Sequence, residues 1–180
     1  NDSSVIQQAV HELQEQLSLP NLPQRMECYD ISHIQGSNVV GSMVVFQDGK
    51  PRTDQYRRFR IKTVEGVDDY ASMQEMLRRR FERLSKARKL DSVNTTDSWG
   101  IVPDLVLIDG GKGHLSAALE VFLQLGLDDV PLASLAKENE WIYVPDSTDP
   151  IVLPRHSQSL YLVQRLRDEA HRFAITYHRN

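Results

Sequence analysis

With 180 residues, 40% hydrophobic and 26% charged, the chain suits one globular domain, or one domain plus a tail, with enough apolar surface for a core. No apolar run approaches the roughly 18 residues a membrane-spanning helix needs, and one cysteine, Cys28, excludes an internal disulfide and a thiolate metal cluster. The net charge of -4 excludes a uniformly basic nucleic-acid binder, although Arg57 to Lys89 forms a locally basic stretch suited to modest phosphate contact or simply to a solvated face.

The chain opens on Asn1-Asp2-Ser3-Ser4, with no initiator Met and no signal-peptide pattern, so it is expected to begin inside a longer protein of a reducing cytoplasm. Val5, Ala9, Leu13 and Leu17 at four-residue spacing predict a helix over 4–17, and Pro20 and Pro23 then break the chain. Residues 1–21 are therefore set apart as a helix and linker, and 22–180 as the domain proper. Residues 26–33 and 39–46 read as strands, and the Asp48-Gly49 turn returns the chain as a third strand over 53–61. Tyr70, Met73, Leu77, Phe81 and Leu84 give the core stripe of a helix over 68–89. Residues 90–100 are polar and patternless, a predicted surface loop. Leu105 to Ile108 is a continuous apolar run, typical of a parallel strand covered on both faces. Gly110-Gly111 leads into a helix over 114–125, and 131–136 reads as another strand. Residues 141–144 and 151–153 suggest a short hairpin. A closing helix over 157–177 has Leu160, Val163, Leu166, Ala170, Phe173 and Tyr177 on its inner face. The order predicts an α/β fold: a mixed sheet of three antiparallel strands followed by parallel additions, with helices on both faces.

Asp30 interrupts the first strand, Asp109 ends the most apolar one, and Asp69 opens the long helix. The first strand of a meander and the next parallel strand are commonly neighbours, so Asp30 and Asp109 would share a crevice at the strand ends. Clustered carboxylates repel and call for a divalent cation; an oxygen donor set selects Mg²⁺ or Mn²⁺, which activate water and clamp a phosphodiester. Singly, each aspartate also reads as a turn former or helix cap, and only the constellation favours chemistry.

Asp109-Gly110-Gly111-Lys112-Gly113 is not a P-loop, because the GxxxxGK[ST] spacing is absent, yet it remains compatible with contact to a nucleic-acid backbone. His171 lies beside the apolar stripe of the closing helix with Gln164, Arg167 and His178, where a histidine ordinarily fills a core edge. His33 either bonds a neighbouring carboxylate or fills the rim, and His156 reads as a cap-region residue. No GxSxG elbow supports a Ser/His/Asp hydrolase.

Four ordered stretches carry a resemblance over about 22–179: Cys28-Tyr29-Asp30-Ile31-Ser32-His33, Asp68-Asp69-Tyr70, Leu107-Ile108-Asp109-Gly110-Gly111-Lys112-Gly113, and Arg167-Asp168-Glu169-Ala170-His171-Arg172-Phe173. Together they resemble the UvrC family, the incision subunit of bacterial nucleotide excision repair. The matching part is its C-terminal catalytic domain, a ribonuclease H-like fold that makes the 5′ incision beside a lesion. The resemblance implies catalytic positions at Asp30, Asp69, Asp109 and His171, with Asp30, Asp109 and His171 on the metal. A histidine in place of a fourth carboxylate makes the site less negative, so one well-ordered ion is expected without substrate. Lys112, Lys137, Arg155 and Arg167 are candidate phosphate contacts. The implied partners are damaged double-stranded DNA and, through the full-length protein, the UvrB–DNA complex, with no membrane. No match is found to the family's N-terminal GIY-YIG nuclease domain, to its UvrB-docking segment or to its tandem helix-hairpin-helix module, so weak DNA binding is expected. A non-catalytic nucleic-acid or protein-binding module of the same fold, and another ribonuclease H-like activity such as junction resolution or RNA cleavage, stand as alternatives.

Overall fold

The computed structural model describes residues 3–34, 38–64, 66–90 and 98–176. Helix α1 (Ser3–Leu17) buries Ile6, Ala9, Val10, Leu13 and Leu17, a wider face than the predicted stripe, in which Val5 is only half-buried. Strands β1 (Arg25–His33) and β2 (Val39–Gln47) pair antiparallel along their whole length, from Arg25 opposite Gln47 to His33 opposite Val39. Asp48 and Gly49 turn the chain with φ of 53° and 79°.

The third strand departs from expectation. It is two pieces, β3 (Lys50–Pro51) and β4 (Arg57–Arg60), both paired with β2 and separated by a 3₁₀ turn over Thr53–Gln55. Pro51 lies opposite Phe46, whereas Arg57 lies opposite Met43, so six steps of chain span three steps of β2. The excess swings Tyr56 inward: its hydroxyl donates to Glu169 at 2.8 Å and its ring meets Phe173 edge-on at 5.1 Å. Core burial of one aromatic outweighs a continuous ladder at a sheet edge.

Helix α2 (Asp69–Lys89) starts at an Asp68 cap that accepts from the Ala71 amide. Met73, Leu77, Phe81 and Leu84 are fully buried as predicted, but Tyr70 at the head of the stripe is 50% exposed and stands edge-on to His114. Strand β5 (Leu105–Asp109) runs parallel to β1 on one side and to β6 (Leu132–Leu135) on the other. Its apolar run is covered on both faces, since Leu105 and Leu107 join one core and Val106 and Ile108 the other. Helix α3 (Lys112–Gln124) begins two residues before the predicted start. The expected hairpin shrinks to β7 (Ile142–Tyr143), paired with β6, and one bridge between Ile142 and Ile151. Helix α4 (Gln158–Thr176) buries Leu162, Val163, Leu166 and Ala170, and leaves Leu160 and Phe173 partly buried. Tyr177, His178 and most of the predicted 90–100 loop lie outside the described residues.

The sheet order is β3-β2-β1-β5-β6-β7, with β4 alongside β2. Helices α1 and α4 share the core of one face, and α2 and α3 that of the other. The predicted mixed α/β sandwich is the one observed. No helix among the described residues is long and apolar enough to cross a membrane.

Candidate active site

The pairing of β1 with β5 places Tyr29 opposite Ile108, which brings the next residues, Asp30 and Asp109, side by side. Both follow residues of the α4-side core by two positions, Cys28 and Leu107, so the strand alternation points both carboxylates toward α4. His171 meets them there: its Nδ1 stands 3.6 Å from Oδ2 of Asp30. The imidazole is 56% exposed, which removes the reading of His171 as a core histidine. Asp30 is buried, and Ser32 Oγ donates to its Oδ2 at 3.5 Å. Burial and the neighbouring Asp109 carboxylate push the Asp30 carboxyl up to about 6, with His171 pulling the other way.

Asp109, Lys137, Glu140, Arg167, Asp168 and His171 line a cavity of about 310 Å³ against this pair. Lys137 and Arg167, two of the four predicted phosphate contacts, therefore share the crevice with the acids. Arg155 lines the adjoining groove together with Lys137. Lys112 stands apart, with its ammonium 5.2 Å from the Tyr143 ring.

Asp69 occupies the same end of the sheet but the opposite face. Its carboxylate pairs with His33 Nε2 at 2.8 Å, both side chains nearly half exposed, and it is not among the residues lining the cavity. The carboxylate-bonding reading of His33 is thus the observed one. His156, expected near a helix start, sits in the left-handed region at φ 66° with Nδ1 3.2 Å from the Tyr161 hydroxyl.

The glycine run after Asp109 has a packing cause. A side chain on Gly110, at φ 153°, would strike His114, and one on Gly113 would strike the Tyr70 hydroxyl. The bare backbone lets the start of α3 close against the start of α2. Glu140 escaped sequence reasoning, since one glutamate in a polar turn has no distinguishing spacing; in the structure it lines the cavity and holds a φ of 55°.

Among the described residues no three His, Cys, Asp or Glu side chains stand close enough together to hold a metal ion as they are. The donor set still fits a hard divalent cation. Two adjacent carboxylates, one raised to about 6 by burial and by the other, stand together with an imidazole beside them.

The sequence family described as the UvrC RNase H endonuclease domain matches residues 14–175. The chain belongs to that family. It is 52% identical to the UvrABC system protein C of Methanosphaera stadtmanae over 93% of this chain and 27% of that protein. It is also 52% identical to the one from Moorella thermoacetica, over 95% of this chain and 27% of that protein. The chain thus spans about a quarter of the length of these relatives. Among solved structures, a Ciona intestinalis endonuclease V variant in complex with DNA is 14% identical, at a TM-score of 0.42 over 94% of this chain and 69% of its own. The β-meander, parallel additions and flanking helices are thus the ribonuclease H-like fold of the UvrC endonuclease domain.

Proposed function

We propose that the crevice between β1, β5 and α4 hydrolyses a DNA phosphodiester in a divalent-metal-dependent reaction, making the 5′ incision of nucleotide excision repair. The observation that carries this reading is the side-by-side pair Asp30 and Asp109 with His171 beside them, at a cavity that also holds Lys137 and Arg167. Mg²⁺ or Mn²⁺ held by Asp30, Asp109 and His171 would supply an activated water and charge neutralisation at the phosphoryl oxygens. The two aspartates fix the negative end of the site on adjacent strands, where sheet hydrogen bonds hold their spacing. Lys137 and Arg167 neutralise a phosphate entering the cavity, and Arg155 extends that track into the adjoining groove. His171, half exposed, stands beside Asp30 and lines the cavity, where it would hold or orient a proton-bearing ligand.

Asp69, tethered by His33 across the sheet end, assists from outside the cavity in this reading. Lys112, next to Gly111, reaches the backbone of a bound strand. Residues 22–180 are the endonuclease unit, and 1–21 precede it, with the α1 helix packed into the core of that unit. Damaged duplex DNA is the substrate, and the full-length protein delivers this domain to the UvrB–DNA complex.

The test is incision of damaged duplex DNA in Mn²⁺ by the wild type, Asp30→Asn and Asp109→Asn. Both variants are expected to lose cutting by more than a hundredfold while keeping a native circular dichroism spectrum. Wild-type rates in either would reject the assignment and leave the non-catalytic binding module as the better reading.

A further inference from the structure

Glu140 closes the turn between β6 and β7, where the Ala136 amide bonds the Trp141 carbonyl at 2.9 Å. Its φ of 55° is the left-handed conformation that such hairpin loops usually give to glycine or asparagine. A side chain with a Cβ is strained there by about 1–2 kcal/mol, and it persists where surrounding contacts hold it. Those contacts are on α4. Gln164 Nε2 donates to Glu140 Oε2 at 2.7 Å, and Arg167 Nη1 reaches the same oxygen at 3.3 Å. Asp168 takes the other edge of the guanidinium, through Nε and Nη2, both at 3.3 Å. Arg167, Glu140 and Asp168 all line the cavity beside Asp109 and His171.

We propose that Glu140 is a positioning residue that presents the Arg167 guanidinium to a backbone phosphate of the bound DNA strand. This rests on the reading of the crevice as a DNA-cleaving site. Arginine loses up to about 2 kcal/mol of side-chain entropy when it is immobilised, and a carboxylate that fixes it before DNA arrives meets that loss in advance. Glu140 acts from the turn and Asp168 from the helix, so the planar fork is gripped from two elements. Three contacts among the described residues, set against five N–H donors, leave capacity for a phosphate oxygen. The carboxylate also ties the Lys137–Glu140 turn to α4, which sets the width of the cavity mouth.

The conformation supplies its own control. Glu140→Gly suits φ 55° better than glutamate, so the variant is expected to fold with an unchanged or slightly raised melting temperature. Anisotropy of a short fluorescein-labelled DNA duplex at low salt, in Ca²⁺ to suppress cutting, reads the affinity. Glu140→Gly and Arg167→Ala should each weaken binding roughly three- to tenfold, the scale of one partly exposed charge-assisted contact. The double variant should be no weaker than Arg167→Ala alone, because Glu140 acts through Arg167. Additive losses, or tighter binding by Glu140→Gly, would overturn the proposal, the latter by making Glu140 a competitor of phosphate. Normal binding by Glu140→Gly with a weakened Arg167→Ala would also overturn it while leaving the DNA site intact. Normal binding by Arg167→Ala would remove this proposal and the crevice as the DNA track together.

Discussion

Asp30 carries the strongest electrostatic tension in the site, and its consequences run through stability as well as chemistry. Burial and Asp109 raise its carboxyl from 3.8 to about 6, so between those values the folded protein holds a proton that the unfolded chain releases. Stability therefore falls as pH rises through that window and stays lower above it, by on the order of 3 kcal/mol without metal. Asp30→Asn removes the ionisation, so it should melt a few degrees above the wild type at pH 7.5 and level with it near pH 4. Differential scanning calorimetry across pH reads this directly; a lower melting temperature at pH 7.5 would contradict it. Incision and Mn²⁺ binding should fall together as pH drops through about 6, where the carboxylate is lost. His171 gives a second prediction. At 56% exposure it contributes little packing, so His171→Ala should abolish incision while moving the melting temperature by no more than about 1 °C. A large loss of stability with near-normal incision would restore the structural reading. The two aspartates were legible because each breaks an apolar strand, where a carboxylate is costly. Glu140 was not, because its setting depends on a backbone angle and on partners 24 and 27 residues away.

At the scale of elements, the junction of β1 and α2 rests on a buried charge cluster that no spacing rule flags. Glu27 is fully buried, with Arg80 at 2.8 Å and Arg25 at 3.0 Å, and it accepts the Tyr29 hydroxyl at 2.5 Å. Burial alone would raise its carboxyl, but Arg80 and Arg25 more than offset this and hold it below the usual range. Arg80 also donates to the Trp99 and Ile101 carbonyls, so it fastens the segment leading into β5. Arg80→Ala leaves Glu27 buried with a single cationic partner and should cost about 3–5 kcal/mol by urea unfolding at pH 7. A loss under 1 kcal/mol would show that water reaches Glu27. The depressed carboxyl makes this contribution present above the ordinary glutamate range and lost as pH falls through the lowered value. The same arginine explains why the basic stretch was only half legible. Charge counting treats Arg57 to Lys89 as one surface, yet Arg80 is buried, Arg58 lies over Phe173 and bonds Thr176, and Arg88 pairs with Asp129. The helices and the parallel strand were readable because period and burial coincide in them. The split third strand was not, because Tyr56 answers to α4, far off in sequence.

On the scale of the whole molecule, the charge balance limits what the domain does alone. The net charge is -4, and the candidate phosphate contacts are four: Lys112, Lys137, Arg155 and Arg167. Each displaced counterion adds about -0.9 to the slope of log K against log salt, so a slope no steeper than about -4 is expected, with weak binding at physiological salt. Nanomolar affinity there, by fluorescence anisotropy, would reveal contacts beyond the crevice. The α1 helix is integral to the core, since Ala9, Val10, Leu13 and Leu17 pack with the α4 residues that position His171. Glu12 Oε1 also accepts the Ser159 amide at 3.2 Å at the start of α4. Sequence periodicity located that helix but not its partner, because a helical stripe specifies a face and leaves open what covers it. The central claim is that Asp30, Asp109 and His171 form one metal centre. A crystal soaked in Mn²⁺, examined by anomalous scattering, tests it most directly. The account predicts one ordered ion bridging Asp30 and Asp109 within reach of His171, and a peak absent there, or found instead at His33 and Asp69, would contradict it.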